Sequence, residues 1–169
     1  MFSRQQRAAK HRTRVPSARD ISPTDGAQWD ERSALEHFLG RDVAEILERL
    51  RDGHFESYQE DLMFMGRRGF EYYLAALLQY VQEWEDEDFG WYAGYLIGLM
   101  ESRKSTEGAT EFGIKHYVMS AEKMSANPHA RAIREHCIAK LERMLAAGGT
   151  KWLTPAELRE HLERWRGLF

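Results

Sequence analysis

With one cysteine, Cys137, and four prolines in 169 residues, the chain has little covalent or conformational bracing. A lone thiol excludes an internal disulfide framework and a four-cysteine zinc site. The longest apolar stretch, residues 91–100, is about half of the roughly 20 residues that a membrane-crossing helix needs, so no membrane role is expected. Signatures of catalysis are missing too. There is no Gly-x-Ser-x-Gly elbow, no Gly-x-x-x-x-Gly-Lys phosphate loop and no His-Glu-x-x-His, and no histidine follows a glutamate by three residues. Nothing in these patterns argues for an enzyme, a cofactor or a metal.

What the chain does have is apolar side chain, 43% of it, with 12% aromatic. A body of about 150 residues with that composition buries roughly 70% of its unfolded surface, which excludes wholesale disorder. Charge is unevenly spread. Residues 1–19 carry Arg4, Arg7, Lys10, Arg12, Arg14 and Arg19 and no acid, whereas the remainder holds 18 bases against 27 acids. Residues 1–26 read as a flexible basic arm and linker, and residues 27–169 as a single acidic domain. Six cations could meet phosphates, which makes nucleic-acid contact through the arm a secondary option; the acidic body would repel the same phosphates.

Apolar residues recur at helical spacing in segment after segment, and no strand-like alternation is seen. The spacing predicts helices over 27–39 (Trp29, Leu35, Phe38 and Leu39 inward), from Asp42 to a stop at Gly53, over 68–84 and over 88–103. Residues 54–65 are less regular and read as a loop with a turn of helix, and residues 105–110 as a loop. A further helix is expected over 112–124, then one that starts at Pro128 and stops at Gly148-Gly149. Thr154-Pro155-Ala156-Glu157 is a capping box with proline at the first helical position. The expected fold is all-α, a single irregular bundle of six or seven helices.

Between them, Glu83, Glu85, Asp86, Glu87 and Asp88 place five carboxylates within six positions, beside Trp84, Trp91, Tyr92 and Tyr95. Acids that open a helix are stabilised by its dipole, by about 0.3–1 kcal/mol each. Five are more than capping requires, and the interleaved aromatics are residue types that anchor interfaces. These nine residues form a candidate surface for a basic protein partner. Gly90, Gly94 and Gly98 then form a Gly-x-x-x-Gly-x-x-x-Gly ridge, suited to a neighbouring helix or to a homodimer. Arg67 and Arg68 open a helix, where cations oppose the dipole; they pair with carboxylates or hold an anion. Tyr58, Glu60, Asp61, Tyr72 and Tyr73 are the candidates for an interhelical pocket. Cys137 falls on the core side of its helix.

The stretch Tyr58-Gln59-Glu60-Asp61-Leu62-Met63-Phe64-Met65, followed by Phe70-Glu71-Tyr72-Tyr73-Leu74-Ala75-Ala76, resembles a family of small uncharacterised bacterial proteins. Their shared core reads Asp-Leu-x-Phe-Met/Leu, a short gap, then Phe-x-Tyr-Tyr-Leu-Pro-Ala; Ala75 stands here where that family often has proline. The upstream Phe38-Leu39-Gly40-Arg41 fits as well, so the likeness spans about residues 35–82. It implies a cytoplasmic bacterial protein. Some relatives look like companions of polymorphic toxins, which implies an immunity role and no catalytic residues to carry over.

The expected function is thus a non-enzymatic binding module, most concretely an immunity-type protein that plugs a basic, nuclease-like toxin with its acidic–aromatic surface. The alternative is a small-ligand protein or enzyme with its pocket near Glu60 and Asp61.

Overall fold

The computed structural model describes residues 14–24, 29–104 and 119–169. Among these there is no strand, and nine α-helices are found where six or seven were expected. In chain order they are α1 (Ala18–Ile21), α2 (Trp29–Phe38), α3 (Val43–Arg49), α4 (Phe55–Phe64), α5 (Arg67–Glu83), α6 (Asp86–Lys104), α7 (Ala121–Ala126), α8 (Pro128–Ala146) and α9 (Pro155–Arg166). A wide helical turn, Leu50–His54, joins α3 to α4. The two additional helices are α1, in the segment assigned to the flexible arm, and α4, in the segment read as a loop. The side chain of Trp29, the loop expected over 105–110, most of the helix expected over 112–124, and arm residues 1–13 lie outside the described residues.

Each correction has a local cause. Ser17 and Asp20 close a capping box around α1, and Ile21 is buried completely. One turn of helix therefore stands on a single core anchor. Its carbonyls approach α5 where Gly66 and Gly69 leave room: a Cβ on Gly66 would collide with the Asp20 carbonyl. In α4 the buried residues are Phe55, Tyr58, Gln59, Asp61 and Leu62. The two polar members hide the helical stripe from a reading based on apolar residues alone. Gly53 does not stop the chain as its type suggests. It takes a left-handed φ of 87° inside the wide turn, a conformation that costs glycine little, and helical hydrogen bonding resumes directly.

The other helix ends follow the sequence closely. Asp42 accepts from Glu45 N while Glu45 returns to Asp42 N at 2.8 Å, the Asn127 carboxamide oxygen receives the N–H groups of His129 and Ala130, and Thr154 and Glu157 close the last capping box. α5 is the central strut. It packs against α1, α3 and α8, while α6 runs between α4 and α9. Phe38, Phe55, Phe70, Tyr73, Phe89 and Trp165 fill the core, with Cys137 buried among them. Leu39, expected inward, stands just past the end of α2 and is exposed. No helix among the described residues is long and apolar enough to cross a membrane.

Candidate functional site

The acidic–aromatic segment divides into a buried half and an open half. Trp84, the residue after α5, belongs to the core. Its ring meets Phe55, Tyr80, Phe89 and Tyr92 at centroid distances of 5.2, 5.3, 6.1 and 5.4 Å. Lys140 of α8 reaches across and donates to the Trp84 carbonyl, with Asp86 Oδ1 3.3 Å from its ammonium. That buried cation closes the C-terminal end of α5, where the dipole is negative. Trp84 is thus removed from the candidate surface, and Tyr92 is half-buried beside it. Glu83 is held by Arg51 at 2.5 Å, and the guanidinium keeps its carboxyl below the usual range.

What remains outward is compact. Glu87, Trp91 and Tyr95 lie four residues apart on one face of α6, with Asp88 and Glu85 adjoining. Trp91 is 51% exposed and Tyr95 43%. From the loop between α8 and α9 comes Trp152, 44% exposed, whose ring sits edge-on to Trp91 at 5.3 Å. Trp91 Nε1 donates to Glu56 on α4 at 3.3 Å, which orients the indole. Glu85, Glu87 and Asp88 make no ion pair among the described residues. Lys151 places its ammonium 4.7 Å from the centre of the Trp152 ring, so this face already accepts a cation. Trp152 was not read as a site residue: it lies 61 positions from Trp91, in a loop with no motif.

The glycine ridge is partly used within the chain. Gly90 is buried against Thr150 and Trp152, where a Cβ would come within 3.3 Å of the Trp152 Cβ. Gly94 has only the His161 ring near, at 3.9 Å, and around Gly98 there is nothing within 4 Å. The open end of the ridge therefore continues the exposed aromatic face.

The five residues proposed for a pocket do not converge on one. Tyr58 and Tyr73 are buried; Tyr73 donates to the carbonyls of Phe38 or Arg41, each 2.8 Å from its oxygen. Burial raises its pKa, as it does that of half-buried Tyr72. Glu60 is exposed, whereas Asp61 is buried and lies 2.6 Å from His37 Nδ1. Neither acid lines the two shallow surface grooves, one beside Asp42, Glu45 and Tyr72 and the other beside Glu142, Arg159 and Leu162. A histidine oriented by a buried carboxylate is a common general-base arrangement. Here the Ser33 hydroxyl lies 3.5 Å from the same Nδ1 and not at Nε2, so the three do not form a nucleophile relay. Sequence reasoning found Asp61 without its partner, because His37 lies on another helix, 24 residues away. Among the described residues no cluster of His, Cys, Asp and Glu could hold a metal ion.

No family model matches the chain, and neither a curated protein nor a solved structure shows a significant match. The likeness described above thus rests on its motif residues alone. Of these, Leu62, Phe70, Tyr73 and Leu74 are core residues, and Asp61 joins α4 to α2.

Proposed function

We propose that the protein is a non-enzymatic protein-binding module whose docking face is the outer side of α6 together with Trp152, and that its partner is basic. The observation that carries this reading is the meeting of Trp91, Tyr95 and Trp152 at the surface beside three carboxylates that make no ion pair among the described residues. Large aromatics cost free energy when exposed, and they are the residues that dominate binding when covered. Carboxylates around them steer a cationic surface and repel nucleic acid. The Lys151–Trp152 contact supports this reading, since a partner's lysine or arginine would meet an indole face in the same way. The concrete form of the proposal is an immunity-type protein of the bacterial cytoplasm, covering the cationic cleft of a nuclease-like toxin, as the motif resemblance implies.

Self-association along Gly94 and Gly98 is the competing use of this face. Two copies would bring Glu87 and Asp88 against their own counterparts, which opposes it. The test is capture of partners from the source organism by the wild-type chain and by Trp91→Ala/Tyr95→Ala, at about 50 and about 500 mM salt. A stoichiometric basic protein held only by the wild type, and weakened by salt, supports the proposal. A partner held equally by both chains overturns the assigned face.

A further inference from the structure

The surface groove between α3 and α5 is one-sided in charge. Its floor is apolar: Leu47 is buried, and Val43 and Tyr72 are half-buried. Along its rim α3 and its cap set Asp42, Glu45 and Glu48, all exposed, at three-residue spacing. No basic side chain lines it among the described residues. Glu48 shares Arg51 with Glu83. Asp42 and Glu45 serve each other's backbone in the capping box and make no ion pair among the described residues. An acidic rim over an apolar floor suits a cationic segment, whose methylene stems cover the floor while its charges meet the rim.

The chain supplies such a segment beside the groove. Residues 1–13 hold Arg4, Arg7, Lys10 and Arg12 and no acid, and the first three keep the three-residue spacing of the rim. They join the described structure through Pro16, which is buried, and Ser17, whose N–H and hydroxyl bind Asp20 Oδ2 at 2.8 and 2.7 Å. The same carboxylate oxygen receives Arg68 Nη1 at 2.5 Å. Arg68, Tyr72 and Gln79 follow one another along a single stripe of α5, and the last two line the groove. The arm therefore leaves the body on the stripe that forms one wall of the groove. From Arg68 to Gln79 that stripe is about 16 Å long. Thirteen residues of extended chain reach about 43 Å, more than enough to follow it. α1 packs against α2 and α5, which sets the exit of the arm at this groove rather than at the acidic face of α6.

We propose that residues 1–13 dock in cis along the α3–α5 groove, with Arg4, Arg7 and Lys10 against Asp42, Glu45 and Glu48. The proposal does not depend on the partner face assigned to α6. Docking straps α1 and α3 to α5, and it holds the cations of the arm on the body and away from phosphates.

The experiment attaches a nitroxide to Ser3→Cys in the full chain, where the native Cys137 is buried, and reads the broadening of backbone amide resonances by NMR. The amides of Ala44, Leu47 and Tyr72 are expected to broaden several-fold more than those of Trp91 and Trp152. Arg4→Glu with Arg7→Glu, which changes no residue of the described fold, should abolish the difference, and about 500 mM salt should reduce it. Glu45→Gln with Glu48→Gln, which keeps an acceptor for the cap of α3, should reduce it as well. Broadening centred on Trp91 and Trp152 would put the arm on the other acidic face. Broadening of equal size in a mixture of spin-labelled and separately isotope-labelled chains would assign the groove to the arm of a second copy, and uniform broadening would show no docking. Each of these three results overturns the proposal.

Discussion

Trp91 and Trp152 meet edge to face with their ring centres 5.3 Å apart, and about half of each residue remains open to solvent. The pair ties α6 to the loop between α8 and α9, yet it gains less from burial than any tryptophan of the core. An aromatic pair of this geometry is worth about 0.5–1.5 kcal/mol beyond area burial. The double-mutant cycle Trp91→Ala, Trp152→Ala is therefore expected to show coupling of that size in urea unfolding. Each single variant should stay folded.

Trp84 behaves differently. It is surrounded by four aromatic rings and its carbonyl receives Lys140, so Trp84→Ala empties the centre of the cluster. The expected cost is about 3–5 kcal/mol, a large share of the stability of a domain this size. A loss below about 1.5 kcal/mol in chemical denaturation would place Trp84 at the surface after all.

His37 Nδ1 lies 2.6 Å from Asp61 Oδ2 and joins α2 to α4, with the carboxylate buried and the imidazole one-third exposed. Asp61→Ala is expected to cost about 1–3 kcal/mol, since it leaves a hydrogen-bonding ring without its acceptor. His37→Ala should cost nearly as much, and the double variant little more than either. Additive losses would show that the two side chains act independently.

Acid should weaken the fold before the carboxylates titrate. Burial lowers the pKa of His136, helped by the charges of Lys140 and Arg143 and opposed by a hydrogen bond with the Val81 backbone. Burial also lowers that of His161, with Arg164 adding to the effect and Glu160, Glu157 and Glu101 opposing it. A histidine whose folded pKa lies below its unfolded value of about 6.5 binds its proton more readily when unfolded. Its contribution is complete above that value and is lost as pH falls towards the folded pKa. Thermal midpoints should decline between about pH 7 and pH 5, and His136→Gln with His161→Gln should flatten the decline.

The ends of helices were more legible than their surroundings, because a cap is a contact between near neighbours in sequence. Asp42 with Glu45, Asn127 with Pro128 and Thr154 with Glu157 needed only a local reading. The helix α4 was hidden because Gln59 and Asp61 occupy inward positions, and α1 because a four-residue helix has no period to detect. Within the candidate site, the exposure of Trp91 and Tyr95 and the burial of Trp84 depend on how α6 sits between α4 and α9. A run of aromatics and acids gives no sign of which side faces out. Trp152 and His37 were missed for a related reason: each acts across a long stretch of chain, on a partner that no spacing rule connects to it.

The most direct test of the docking face is the dissociation rate of the captured basic partner from the wild type, Trp91→Ala, Tyr95→Ala and Trp152→Ala. Leu39→Ala, an exposed apolar residue on another helix end, serves as the control. Truncating an interface anchor commonly costs about 2 kcal/mol or more, so each aromatic variant is expected to release the partner at least about ten-fold faster while Leu39→Ala matches the wild type. Equal rates for all four variants and the wild type would contradict the assignment of this face.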